Sequence, residues 1–296
     1  MPVRPYIDYD SVFYHVDNFS KAFMAWWYKM LLTCQDGKKR RRREASLILS
    51  EVLTILIAFP SSGYHCFKHF YLHLQRYHRS EFPTLVSYDR FISLMQRAFP
   101  ALICLMGCLR AEPTAINFVD STPLSVCKPI RARRHKVFKG LAAWGRTSVE
   151  WFFGLKLHCV FNAAGEIVQL QITPGNVSDV KAASHLLQGV LGKVFGDKGY
   201  ISKDLFESLW QQGTHLVTGV RKTMQNKLMP IMDKLLLKKR AFVESIFSSL
   251  KSSGSFEHSR HRSPTNAFCH LLAALIAYQL RTDKPTLFPS VQELPA

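Results

Sequence analysis

Acid is scarce in this chain. Its 296 residues hold 21 Asp and Glu against 39 Lys and Arg, a formal net charge of +18, and the isoelectric point lies near 9.8. The excess is not confined to a tail: residues 1–111 carry 15 basic and 8 acidic residues, and the remainder carries 24 and 13. Solubility rarely calls for so lopsided a balance, so a polyanion is the expected partner, with nucleic acid first among the candidates. Long hydrophobic runs are missing too. The longest, Val52–Pro60 and Leu271–Tyr278, are about ten residues, too short to cross a bilayer. The opening MPVRPYIDYD holds no apolar signal segment. No membrane partner is expected, and the expected compartment is the cytoplasm.

Cysteine in useful patterns is also lacking. The seven, at positions 34, 66, 104, 108, 127, 159 and 269, are odd in number and form no CxxC pair. Cys104 and Cys108 are helical neighbours, but no further Cys or His sits at a zinc spacing. They read as reduced thiols, mostly in the core. His65, His69 and His73 recur every four residues beside Cys66, which an aromatic-rich amphipathic helix explains better than a metal site. Composition excludes a disordered chain: 47% of residues are hydrophobic and 12% aromatic.

What is present begins with helices. Apolar residues recur at helical spacing through Val12–Leu32, Leu47–Phe59, Tyr64–Tyr77 and Arg90–Ala98, with Pro and Ser between them. Between the first two lies Lys38-Lys39-Arg40-Arg41-Arg42-Arg43, a solvated loop by composition and a ready contact for phosphates. Residues 1–112 are expected to form an all-helical, basic, DNA-binding region, without a recognisable helix-turn-helix.

Near Glu112-Pro113 the pattern changes. Ala115–Asp120 reads as a buried strand delivering Asp120 at its end. Lys128–Arg146 follows, with seven Lys or Arg and no acid; Arg133, Arg134 and Lys136 at its centre are expected to lie along DNA. Phe153–Phe161 alternates apolar residues with Lys156 and His158, the period of a half-buried strand. Asn162–Gly165 turns the chain into a second strand, Val168–Thr173. Ser178 is a candidate N-cap for the next helix. A short strand then ends at Asp197, followed by a helix and the strand His215–Val220. Leu235–Lys251 closes the series as one amphipathic helix. Leu236, Val243, Ile246, Phe247 and Leu250 form its apolar stripe, and Arg240, Glu244 and Lys251 share a narrow edge. The order implies a mixed sheet flanked by helices.

Asp120, Asp197 and Glu244 thus stand on three separate elements. Each alone is an ordinary cap, turn or surface ion-pair residue. Together they are what two-metal phosphoryl transfer requires. Mg²⁺ takes hard oxygen ligands, and two ions about 4 Å apart serve the attacking and leaving oxygens. Carboxylates crowded without a cation would raise one another's pKa.

VDSTPL around Asp120, FGDKGY around Asp197 and RAFVESIFSSLK around Glu244 resemble the DDE transposases of bacterial insertion sequences. The third stretch matches that family's pattern of Arg, three residues, Glu, six residues, Lys. The Tyr that some related groups place three residues before the Arg is Leu237 here. LTILIAFPSSGYHCFKHFYLH, RHKVFKGLAAWG and EHSRHRSPTNAF are similar to the insertion-sequence 982 family in particular, and the resemblance spans roughly residues 47 to 280. It implies an RNase H-like core over residues 113–280, with 281–296 as a tail. It also implies two Mg²⁺ or Mn²⁺ ions held by Asp120, Asp197 and Glu244, and a homo-oligomer acting on double-stranded element ends and target DNA in the bacterial nucleoid. Arg240, Lys251 and Lys198 would contact DNA near the scissile phosphate, and Arg260 and Arg262 would add phosphate contacts. The expected reaction is strand cleavage by water followed by strand transfer. A nuclease without strand transfer and a non-cutting DNA-binding derivative remain as alternatives.

Overall fold

A computed structural model describes residues 8–33, 46–147, 149–220, 224, 228–254 and 261–288. The chain divides into two compact units. One holds residues 1–109, 253–255 and 261–280, and the other holds the remaining segments.

The first unit is helical: α1 (Tyr9–Thr33), α2 (Leu49–Ala58), α3 (Phe67–Tyr77), α4 (Tyr88–Cys108) and α9 (Pro264–Leu280). Local signals set several of the starts. Ser87 accepts a hydrogen bond from the Arg90 amide ahead of α4, and Glu51 reaches back to the Ile48 amide ahead of α2. The sequence expected a helix ending near Ala98, before Pro100, but α4 runs on through that proline to Cys108. A proline inside a helix costs about 3 kcal/mol. Beyond it Ala101, Leu102, Leu105 and Met106 are all buried, and burying three large apolar side chains at about 1.5–3 kcal/mol each outweighs the penalty. Among the described residues α4 is the one helix long and apolar enough to cross a membrane. No unbroken apolar run in the sequence announced it, and its apolar face packs on α9 and α2.

Helix α9 is apolar all round, with every residue from Cys269 to Tyr278 buried, as befits a central helix. The Cys269 thiol donates to the Met95 carbonyl. The expected domain boundary at residue 280 would have put α9 with the sheet, but its packing partners are α4 and α2. The basic run 38–43 lies outside the described residues, and none of the six described cysteines is in a disulfide.

The second unit is mixed α/β. Its strands are β1 (Ile116–Cys127), β2 (Ala143–Arg146), β3 (Trp151–Asn162), β4 (Ile167–Pro174), β5 (Gly192–Gly196) and β6 (Thr214–Thr218). They form one sheet in the order β2-β3-β1-β5-β6, with β4 also on β3. β1, β3 and β4 are antiparallel, whereas β5 and β6 add in parallel. Buried Asn117 anchors the start of β1 by exchanging hydrogen bonds with the Thr114 backbone. Helices α5 (Asp179–Leu186) and α6 (Lys203–Gln211) cover one face through Val119, Val160, Ala183, Val194, Leu205 and Leu209. On the other face lies α8 (Ala241–Gly254), where Phe242 and Phe247 meet the rings of Phe118 and Phe161 edge-on. Both faces of β3 are therefore buried, and His158, expected on a wet face, is fully enclosed.

The expected single helix Leu235–Lys251 is two helices, α7 (Ile231–Lys239) and α8, meeting at Arg240. There the Val243 amide bonds to the Arg240 carbonyl at 2.9 Å, a three-residue turn. The anticipated apolar stripe survives the break: Leu236, Val243, Ile246, Phe247 and Leu250 are all buried.

His270 on α9 tests the helical core. Its Nδ1 has no hydrogen-bond partner, and burial lowers its pKa to about 3. The unfolded chain, with an ordinary histidine, takes up the proton first, so stability falls as pH drops below about 6.5. His270→Phe should therefore lose about 2 kcal/mol less than the parent chain between pH 7 and 5, read from urea unfolding at the two pH values.

Candidate active site

Strand register builds the centre of this site. β1 and β5 pair as Ile116 with Lys193, Asn117 with Val194 and Phe118 with Phe195. Asp120 and Asp197 each lie two residues beyond the last of these pairs. β5 ends at Gly196, and Asp197 turns the chain, its Oδ1 accepting the Gly199 amide at 2.8 Å to cap the 3₁₀ turn Lys198–Tyr200. Asp120 is not at the end of its own strand, as expected, because β1 continues to Cys127 against β3. It sits where β1 loses its β5 neighbour. This also explains Pro123 inside a strand, since its missing N–H lies on a stretch with one sheet partner only.

The Asp120 side chain is 16% exposed and Arg240 is 21% exposed; Arg240 Nη1 donates to Asp120 Oδ2 at 2.7 Å. Burial is the main cause of a raised Asp120 pKa of about 6. The Arg240 guanidinium and the Ser121 amide pull it down, and the Asp197 and Glu244 charges push it up. Glu244 lies in the first turn of α8, 67% exposed, with its Oε1 3.6 Å from Arg240 Nη2. The guanidinium fork therefore links the acid on the sheet to the acid on the helix. Of the three acids expected from sequence, Asp120 and Glu244 share Arg240, and Asp197 follows the end of β5. Among the described residues, no three His, Cys, Asp or Glu are gathered closely enough to hold a metal ion as they stand.

The expected cations are scattered. Lys198 is exposed on the 3₁₀ turn, its stem 3.4 Å from where a Cβ on Gly219 would lie. Lys251 lies two turns beyond Glu244 on α8 and is partly buried. Arg133 and Arg134 are exposed on a 3₁₀ helix, Pro129–Arg134, which buried Ala132 pins down; Lys136 is exposed just after it. Arg262 is an exposed residue of the helical unit, and Arg260 lies outside the described residues.

A second polar group escaped sequence reasoning. Asp179, the first residue of α5, accepts the Ser121 hydroxyl at 2.8 Å and the Lys156 ammonium at 3.3 Å, both at Oδ1. Lys156 also donates to the Val177 carbonyl at 3.2 Å. The His158 Nδ1 is 3.7 Å from Asp179 Oδ1, and its Nε2 meets Thr173 Oγ1 at 2.9 Å. Burial lowers the His158 pKa to about 4 against the pull of Asp179, so the imidazole is neutral at pH 7. From sequence, Asp179 is an ordinary first-turn acid behind an N-cap serine; the one available signal was a lysine and a histidine alternating into a buried strand.

Arg240 is the piece whose removal is most telling. Arg240→Met leaves the enclosed Asp120 carboxylate without its partner and should lower stability by about 1–3 kcal/mol in thermal melts near pH 7.5. Arg240→Lys should recover only part of it, because a single ammonium cannot reproduce a fork that serves two carboxylates.

A family model described as "Transposase DDE domain" matches residues 110–264. No curated protein sequence matches the chain. A solved structure, the cryo-EM structure of the piggyBac transposase synaptic complex with hairpin DNA (SNHP), is similar with a TM-score of 0.49 and 9% identity, over 90% of this chain and 71% of that one. The match to the family model takes in more than half of the chain, including β1, β5, α8 and all three acids described above: the chain belongs to the DDE-domain transposases.

Proposed function

We propose that this transposase cleaves DNA at the ends of an insertion sequence and joins the freed ends to target DNA, with Asp120, Asp197 and Glu244 as its acidic triad on an RNase H-like sheet. One observation supports the assignment of residues: continued by two residues, the β1–β5 register would align Asp120 with Asp197 where the strands part, in a chain with few acids to spare. The donor set fits divalent ions of the Mg²⁺ class, being hard carboxylate oxygens. The gap over Gly199, where a Cβ would lie 2.9 Å from Asp197 Oδ1, leaves room for such a ligand. Asp120, Asp197 and Glu244 would hold the ions, which when bound supply Lewis-acid activation and neutralise charge on the phosphoryl group.

The chain's own groups do the rest. Arg240 holds Asp120 against the repulsion of its acidic neighbours, and in the DNA complex offers its remaining donors to a phosphate. We assign Lys198 and Lys251 to phosphates close to the acids, and the exposed Arg133, Arg134 and Lys136 to a separate cationic track for DNA further away. In the first step water attacks a phosphodiester at the element's end, forming a P–O bond and releasing a 3′-hydroxyl. In the second step that hydroxyl attacks a target phosphodiester, forming a new P–O bond while the target's P–O3′ bond breaks and its 3′-hydroxyl leaves. A nuclease would perform the first step only.

Labelled element-end DNA tests the reading. Glu244→Gln, Asp120→Asn and Asp197→Asn should fold and bind the ends at least as tightly as the parent. Each should lose about 4 kcal/mol of barrier stabilisation, roughly a thousandfold in cleavage rate, and pairs of changes should add little. EDTA should abolish both steps. Metal-independent cutting, or an active Glu244→Gln protein, would mean the triad is misassigned, and cleavage without joined product would leave a nuclease.

The cationic track has a separate readout. Replacing Arg133, Arg134 and Lys136 by Ala should flatten the slope of log affinity against log salt by roughly 0.9 for each phosphate that is no longer neutralised. An unchanged slope would make this segment a solvated surface.

A further inference from the structure

The acids of the proposed triad do not exhaust the carboxylates at this end of the sheet. Asp179 arrives from the α5 side, and Gly199 lies between it and Asp197. A Cβ on Gly199 would stand 2.9 Å from Asp197 Oδ1 and 3.3 Å from Asp179 Oδ2. Two carboxylates thus border one small space, which is open because residue 199 has no side chain. The Gly199 backbone is not in the left-handed region, so conformation alone does not require glycine there. The constraint is room between two anions.

Two buried polar groups in the residues around these acids have no hydrogen-bond partner. Tyr200 is 1% exposed and its hydroxyl makes no hydrogen bond; burial first, and then the charges of Asp120, Asp179 and Asp197, push its pKa well above the usual value. The His158 Nδ1, in a side chain with no exposure, is likewise unpaired and points at Asp179 from 3.7 Å. A buried hydroxyl without a partner costs about 1–3 kcal/mol. A hydrated cation is a ligand that brings the water oxygens this hydroxyl lacks.

Each inner acid meanwhile leans on a cation of the chain: Arg240 lies on Asp120 at 2.7 Å and Lys156 lies on Asp179 at 3.3 Å. We propose that Asp179 is a fourth carboxylate of the active site, sharing a divalent cation with Asp197 across the gap kept open by Gly199. Lys156 is its counter-ion in the cation-free protein: it holds Oδ1 while Oδ2 borders the gap, so ammonium and metal compete for the charge of one carboxylate. Ser121, adjacent to Asp120, ties this acid to the triad through its hydroxyl. The inference rests on the divalent-ion reading above and extends it to a residue outside the triad.

Mn²⁺ is the probe. Titration of Mn²⁺ into the full-length protein, followed by the electron paramagnetic resonance of the free ion, measures affinity without any reaction. Asp179→Asn should weaken binding about tenfold or more, within the range seen for groups that hold or orient a metal, with the thermal melt in EDTA near that of the parent. Gly199→Ala should weaken it as well, by filling the gap. Lys156→Met should tighten binding, an effect that a purely structural ion pair does not produce. It also keeps the test decisive if Asp179→Asn fails to fold. Unchanged or weaker Mn²⁺ binding in Lys156→Met, or parental affinity in a folded Asp179→Asn, overturns the proposal. Asp197→Asn separates the two levels: lost binding there with parental binding in Asp179→Asn defeats this inference alone. A parent that binds no Mn²⁺ defeats the divalent-ion reading and this inference together.

Discussion

Everything at this site depends on how briefly β1 and β5 run together. Three paired positions, Ile116 to Phe118 against Lys193 to Phe195, set the register, and a slip of one residue would turn Asp120 to the opposite face of the sheet. The register is held by what lies on either side of it. Phe118 and Phe195 pack together at 5.5 Å between ring centres, and Val119 and Val194 are enclosed by α5 and α6 on the other face. The hydrophobic core therefore aims a carboxylate it does not touch. Where the strands separate, backbone hydrogen bonding stops and the acids take over the space.

The electrostatics follow from that crowding. In a chain with so large a positive excess, the cations could have been dispersed, yet Arg240 and Lys156 are each drawn onto one inner acid. The raised Asp120 pKa shows that this balance is incomplete. A guanidinium at 2.7 Å does not fully offset burial and two further negative charges. An acid centre of this kind is strained towards accepting positive charge.

Periodicity made much of this legible. The β3–β4 hairpin, the Ser178 cap, the strand ending at Asp197 and the apolar stripe of α8 all follow from local patterns in a single segment. What stayed hidden depends on distant segments. Pro100 reads as a helix stop until α9 is available to bury the turns beyond it. His158 and Lys156 read as the wet side of a strand until α5 covers them. Arg240 reads as a position inside one long helix, although the chain breaks there and the side chain turns to Asp120, 120 positions earlier. Asp179 shows how a functional group can look ordinary, since an acid after a serine N-cap needs no further explanation in sequence terms.

The helical unit is assembled from segments on either side of residues 110–252, the larger part of the α/β unit in sequence. Gln96 on α4 hydrogen-bonds Asn266 on α9 across a sequence separation of 170 residues. During synthesis, α4 emerges well before its partner exists. At typical translation rates its apolar face waits roughly 10–30 s for α9, a window in which it is a target for chaperones or for other nascent chains. A message cut short between α8 and α9 would yield a product with all three acids but an uncovered α4. Such a truncated product would be cleared or would aggregate.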